Sequence, residues 1–383
     1  MSQKNKTIQL IFAAMLIVMS SSYSQSITSN ILLGQTITFD SKILEETRDI
    51  FVSLPDRYET SDESFPVLYV LDGETKFYIA SAIADFLTNS GNMPNVIVVG
   101  IPNTNRNRDF TPMKNAEIQN TSGAVNFNKF LSDEVMTYIN ENYRTVDYKI
   151  LFGHSLTGMS SIYTLFTNPD LFDAYISASP YLMSEEEYTI DRADEIIQEK
   201  SNFKEQLYIS IGDEPDYFNS LDRLTELLTN NETGLKWDYV KYPNEDHGSI
   251  PIRTIVDGLG FIFSDWRLTN EVAMLGLDAV KAHYHNRLEK YGFSTKITEA
   301  TLNVIGYRLL QNEEYYKSIE VFKYNVELYP KSANVYDSLG DAFDAQGKGK
   351  KALKNYKKAV SIGEKTNDVN LPAFKNNVER MSK

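Results

Sequence analysis

Hydrophobic positions along the chain change period at about residue 270. Before it, short apolar runs alternate with amphipathic stretches. "QTITFDS" and "TRDIFVSLP" have the every-second-residue pattern of half-buried strands, and "PVLYVLDG" and "NVIVVGIP" are continuous apolar runs of buried ones. Between the last two, "FYIASAIADFLTNSG" has helical periodicity and ends at a glycine. The pattern then predicts a helix over "NFNKFLSDEVMTYINENY", a strand at "KILFG", a helix starting at Ser155, and a strand at "DAYISASP". It continues with the strand "QLYISIG", a helix around "SLDRLTELLTN", and the strand "KWDYVKYP". Buried strands alternating with helices predict an α/β domain whose mostly parallel sheet is covered on both faces.

Beyond "GFIFSDWRLTN" the strand signals stop and the chain reads as helical to its end. A 34-residue period is present there: Leu302, Ile305, Gly306, Leu309, Ser318, Phe322 and Pro330 fall in register with Tyr336, Leu339, Gly340, Phe343, Ala352, Tyr356 and Glu364. This resembles the tetratricopeptide repeat, two helices per unit, with small residues where paired helices approach closely. Ser318 and Glu364 depart from the preferred Ala and Pro. Two units with "LPAFKNNVERM" as a capping helix are marginal alone, so the segment is expected to pack on the preceding domain or on the helix "EVAMLGLDAVKAHYHNRLEKYG". The expected organisation is a signal peptide over residues 1–24, an α/β domain over 25–269 and a small all-α tetratricopeptide-like domain over 270–383.

The amino terminus changes the picture of where the protein works. Lys4 and Lys6 precede an apolar run from Ile8 to Met19, and Ser22 and Ser24 supply small side chains before a cut. Export is therefore expected, to a periplasmic or secreted location, with no membrane anchor left after cleavage. Cysteine is absent, which excludes disulfides, thiolate metal sites and a cysteine nucleophile. Removing residues 1–24 takes away two lysines and no acid, moving the formal charge from -14 to -16. So acidic a protein is a poor partner for nucleic acid or anionic membranes.

Candidate chemistry centres on "LFGHSLTGMSS". In a nucleophile elbow, a serine sits on a tight turn between a buried strand and a helix, with small residues on either side because the two backbones come close. Gly153 and Gly158 flank Ser155, but Thr157 occupies the place where the usual motif ends in glycine; the alternative role for Ser155 is a helix cap. The partners should follow as acid and then histidine. His247, in the turn-rich "YPNEDHGSIP" after the last strand, is the one histidine placed to act as base. His154 adjoins the serine and reads as a residue wedged at the elbow; His283 and His285 lie in the helical segment. The acid is expected after "QLYISIG", where Asp213, Glu214 and Asp216 all qualify, whereas Asp246 is too close to His247 to orient its ring. The backbone N–H groups of Leu156 and Glu74 are the expected oxyanion donors.

With these residues in view, the stretch from about 31 to 267 resembles the putative-esterase family of α/β-hydrolases, which includes esterase D, mycolyltransferases and ferric enterobactin esterases. The matching segments are "RDIFVSLPDRY", "PVLYVLDGE", "VVGIPNTNRNRDFTP", "FGHSLTGMSSIYTLFTNPDLFDAYISASP" and "EDHGSIP". The resemblance implies an α/β-hydrolase fold and a serine carboxylic-ester hydrolase with Ser155 and His247 as catalytic residues and Glu74 and Leu156 as oxyanion donors. Glu214 looks like the family's acid position. It also implies that the loop "IPNTNRNRDFTP" borders the cleft, with Arg108, and after it Arg106, meeting a substrate anion. No metal or cofactor is expected. The substrate is expected to be a small-molecule or glycan ester, a siderophore lactone included, and the helical repeats to support a homodimer or a protein partner. The competing reading is an interaction protein carrying an inactive hydrolase domain, for which Thr157 and the ambiguous acid are the supporting features.

Overall fold

The protein is described by a computed structural model covering residues 32–112, 123–199, 202–293 and 296–382. The expected signal segment, 1–24, lies outside the described residues. Residues 34–383 cluster as one compact unit.

Eight strands form one sheet: β1 (Gln35–Ser41), β2 (Glu46–Ser53), β3 (Phe65–Leu71), β4 (Ile97–Ile101), β5 (Thr145–His154), β6 (Ala174–Ala178), β7 (Gln206–Ile211) and β8 (Lys236–Lys241). Their order is β1-β2-β4-β3-β5-β6-β7-β8. β1 and β2 pair antiparallel, as do β2 and β4, and all other pairs are parallel. The mostly parallel sheet expected from the apolar runs is present. Side chains alternate across it: Val67, Tyr69 and Leu71 of β3 enter one core, Leu68 and Val70 the other. Both faces being buried is the reason β3 and β4 read as unbroken apolar runs.

One face is covered by α1 (Gly73–Asn89), through Phe77, Ala80, Ala84 and Leu87, and by a helix over Ile250–Ile262. The other carries the helix Leu156–Thr167 and further helices whose buried faces include Ile190, Ala193, Leu221 and Leu224. In chain order, α2 is Arg106–Phe110, α3 Gly123–Lys129, α4 Thr137–Asn142, α5 Leu156–Thr167, α6 Tyr188–Glu199, α7 Pro215–Asn230 and α8 Ile250–Ile262. The continuous helix expected over 126–143 is interrupted by a π-helical stretch, Phe130–Met136. That stretch brings Glu134 to the β1–β2 turn, where it accepts the backbone N–H groups of Lys42 at 2.7 Å and Ile43 at 3.2 Å. No hydropathy pattern marks such a change of pitch.

The final segment is helical as expected: α9 (Asn270–Leu275), α10 (Leu277–Tyr291), α11 (Glu299–Gln311), α12 (Tyr315–Leu328), α13 (Ala333–Ala345), α14 (Gly349–Thr366) and α15 (Leu371–Ser382). The repeat period has a packing counterpart. A methyl group on Gly306 would lie 2.5 Å from the Phe322 ring, and one on Gly340 would lie 2.5 Å from the Tyr356 ring. Each glycine lets the aromatic ring of the following helix lie against its backbone. Across residue 270 the packing is continuous, since Tyr291 and Phe293 meet Tyr148 and Trp266 at ring separations of 5.6–5.8 Å. The segment thus rests near Tyr148, in the first half of β5, whereas Ser155 follows its last residue. Six residues of strand, about 20 Å, separate the two points. Among the described residues no helix is long and apolar enough to cross a membrane.

Candidate active site

Ser155 stands between β5 and α5 with φ 61° and ψ -119°, on the left-handed side that a non-glycine residue adopts at a cost of about 1–3 kcal/mol. The surroundings hold it there. Its N–H donates to Ala178 O at 2.9 Å, and its carbonyl accepts from Met159 at 2.9 Å and Tyr181 at 3.0 Å. A Cβ at Gly153 would lie 2.2 Å from Thr157 O, which is why a glycine precedes the turn.

Thr157, the departure from the usual motif, is fully buried and satisfied. Its Oγ1 accepts the His154 N–H at 2.8 Å and lies 2.9 Å from both Asp72 Oδ2 and His154 O, to which it can donate. Asp72 adopts φ 54° at the start of α1 and is held by Arg106, with Nε at 2.8 Å and Nη2 at 3.0 Å. Burial pushes the Asp72 carboxyl up, but the bonds and charge of Arg106, with Asn103 and Thr157, bring it below its ordinary value. Arg106 Nη2 also donates to His154 O at 3.1 Å. A threonine is accommodated because its hydroxyl joins the elbow to the start of α1.

That junction brings two helix starts together. Leu156 is the first residue of α5, and Glu74 is the second of α1, whose Asp72 carbonyl already accepts Thr75 and Lys76. First-turn N–H groups have no intrahelical acceptor and carry the positive end of the helix dipole. Glu74 turns its carboxylate to Asn103, accepting from its backbone N–H at 3.1 Å and from Nδ2 at 2.9 Å.

Of the three acids after β7, Glu214 is the one brought to His247. Its Oε2 meets His247 Nδ1, while Oε1 accepts from the Ser179 hydroxyl and from Gly212 N–H at 3.3 Å. The Glu214 side chain is 9% exposed, whereas Asp213 and Asp216 face solvent. Asp246 closes its own turn, accepting from Gly248 N–H at 2.9 Å and Ser249 N–H at 2.8 Å. His154 lies in the site as well, its ring centroid 4.6 Å from that of His247. Burial, then the neighbouring His247 and Lys76, push the His154 imidazole down to about 4 despite Asp72.

Arg108, expected at the cleft, is committed elsewhere. Its Nη2 lies 2.6 Å from Glu46, its Nε donates to Asp109 at 2.7 Å, and the buried Arg48 contacts the same two acids. Arg106 is the cation that the structure sets against the elbow. Two residues with no signal in the sequence also line the site. Ser179, with φ 38°, orients Glu214. Tyr217, one turn after Glu214, has its ring centroid 5.6 Å from that of His247 and 5.7 Å from that of Tyr181. A tyrosine three positions after an acid is a common surface pattern, and only the docking of α7 sets it beside His247.

The arrangement offers a strained hydroxyl, an imidazole with its Nδ1 fixed by a carboxylate, and two adjoining helix starts for a developing oxyanion. A sequence model of the family described as "Putative esterase" matches residues 41–249. The ferri-bacillibactin esterase BesA of Bacillus subtilis is 24% identical over 237 residues, covering 53% of this chain and 80% of BesA. An IroE-like serine hydrolase from Shewanella oneidensis superposes with a TM-score of 0.65 and 27% identity, over 77% of this chain and 99% of that one. An uncharacterised protein from Capnocytophaga ochracea, 17% identical with a TM-score of 0.67, covers 91% of this chain and 99% of its own, so its fold matches into the helical segment too.

Proposed function

Because this chain belongs to the family described as "Putative esterase" and is a carboxylic ester hydrolase, we propose that it is an exported serine esterase working through Ser155, His247 and Glu214. The observation that carries the reading is Glu214 on His247 Nδ1 beside a serine at φ 61°. Glu214 keeps the proton of His247 on Nδ1, leaving Nε2 to take the Ser155 proton. Ser155 Oγ then attacks the ester carbonyl, and the N–H groups of Leu156 and Glu74 receive the oxyanion. The alcohol leaves with the proton held on His247. Water, deprotonated by the same imidazole, releases the acid from the acyl-enzyme and restores the serine. Arg106 holds the Asp72 carboxylate and the His154 carbonyl, next to which the two helices start.

For the substrate, we infer a siderophore ester of the kind BesA is named for. The specific support in this chain is the pair of tyrosines, Tyr181 and Tyr217, beside His247, which offers flat faces to an aromatic ring of a ligand. The helical segment reads as a tetratricopeptide-like pair of repeats with a cap, serving self-association or a protein partner.

The test is hydrolysis of p-nitrophenyl acetate, butyrate and octanoate and of ferri-bacillibactin by residues 25–383, beside Ser155→Ala. Turnover lost in the variant, with an organophosphonate adduct mapped to Ser155 in the parent, is the expected result. Full activity in Ser155→Ala refutes the mechanism, and hydrolysis of simple esters with none of the siderophore refutes the substrate. The amino-terminal residue of the protein recovered from the periplasm or medium tests export, with Gln25 expected. Light scattering tests self-association.

A further inference from the structure

His154 takes no part in the chemistry described above, yet its environment is unusual for an imidazole. The residue is 8% exposed, and among the described residues its Nε2 has no hydrogen-bond partner. Leaving a buried nitrogen unpaired costs free energy that an apolar residue of the same size would avoid. Its backbone is held at both ends, by the N–H bond to Thr157 Oγ1 and by the carbonyl bond from Arg106. From that fixed backbone the side chain packs against the His247 ring, with the centroids 4.6 Å apart and the two planes tilted by 42°. On the remaining sides His247 has Tyr217, with a plane angle of 48°, and the Glu214 carboxylate at Nδ1.

We propose that His154 is a positioning residue whose flat ring is the surface against which the His247 imidazole lies, setting the plane in which Nε2 reaches Ser155. Glu214 alone fixes one atom of His247 and leaves the ring free to swing about that hydrogen bond; a surface against its face removes that freedom. The side chain of His247 is 41% exposed, so solvent supplies no such restraint. The charged and titratable groups around His154 are His247, Lys76, Asp72 and Arg106. Burial and the first two keep its ring neutral at the pH where an esterase base works, so it sets no positive charge against the imidazolium formed on His247. The inference rests on the Ser155, His247 and Glu214 assignment.

The full chain is compared with His154→Phe, His154→Ala and Ser155→Ala, using an ester that the parent hydrolyses, thermal melting, and the low-field proton resonance of His247 Nδ1–H. His154→Phe keeps a flat ring and is expected to hold kcat within about threefold of the parent. His154→Ala is expected to lower kcat by about tenfold or more with KM moved less than about threefold, and to shift or broaden the resonance. Should His154→Ala not fold, His154→Leu fills the space without a flat ring and carries the same expectation. The proposal is overturned if the folded Ala or Leu variant keeps kcat within about threefold or leaves the resonance unchanged, or if Phe falls as far as they do. Full activity in Ser155→Ala would refute the triad itself, whereas an inactive Ser155→Ala beside a parent-like His154→Ala refutes only the role of His154.

Discussion

Thr157→Val is the sharpest test of how the elbow is built. Valine matches threonine in shape, so no cavity opens at this fully buried position and the change isolates the hydroxyl. The hydroxyl accepts from His154 N–H at 2.8 Å and has Asp72 Oδ2 at 2.9 Å as its charged acceptor. A hydrogen bond to a charged group is worth about 1.5–3 kcal/mol, and Arg106 stays on Asp72, which places the loss at about 1.5 kcal/mol. The orphaned His154 N–H, out of reach of water, adds about 1–2 kcal/mol. Urea unfolding followed by fluorescence should therefore show a loss of about 3 kcal/mol at unchanged m. Because the lost bonds fix the Ser155 turn, kcat should fall as well. Asp72→Asn shares one of the bonds, so the double variant should lose less than the sum of the two. A loss below about 1 kcal/mol, or strict additivity with Asp72→Asn, would refute the account of Thr157 as the tie between the elbow and α1.

Glu214→Gln keeps the shape of the acid and removes its charge; kcat should fall by about 10²–10⁴-fold with little change in KM, and steady-state kinetics that leave kcat intact would exclude Glu214 as the orienting acid. Gly340→Ala sets a methyl group against the Tyr356 ring and should destabilise the chain by about 1–3 kcal/mol in urea, while kcat/KM on a small ester stays at the parent value because the helical segment rests at the far end of β5. Burial, relieved in part by Asn377, raises the Asp337 carboxyl from 3.8 to about 6. A raised acid favours the fold while protonated, so its contribution is full below about pH 4 and is lost as pH rises towards about 6. Asp337→Asn should thus be neutral at pH 4 and stabilising by about 1–2 kcal/mol at pH 8, solvent at the partly exposed carboxylate trimming the full linkage value; urea midpoints at the two pH values check it.

The strands and most helices were legible because a sheet buried on both faces and an amphipathic helix each write a short period into the chain, as in "PVLYVLDG" and "FYIASAIADFLTNSG". The elbow was legible for the same local reason: strand, small residue, serine and helix are consecutive. What carried no local signature was the pitch change at Phe130–Met136. Charge neighbours misled in one place, since Arg106 and Arg108 are two residues apart and equally cationic, yet α2 sends one to Asp72 and the other to Glu46 and Asp109.

Sequence alone determined the mixed sheet, the helical tail with its 34-residue spacing, and the set of residues able to form a serine hydrolase site. Tertiary structure alone decided among them. Glu214 rather than Asp213 or Asp216 meets His247 because the turn into α7 buries one side chain and exposes its neighbours. Thr157 substitutes for glycine because Asp72, 85 positions away in the chain, is there to receive its hydroxyl. Periodicity reports which face of an element is buried, a property of neighbouring residues. Which acid, hydroxyl or ring meets the serine depends on how separate elements dock, and that information is spread over the whole packed chain.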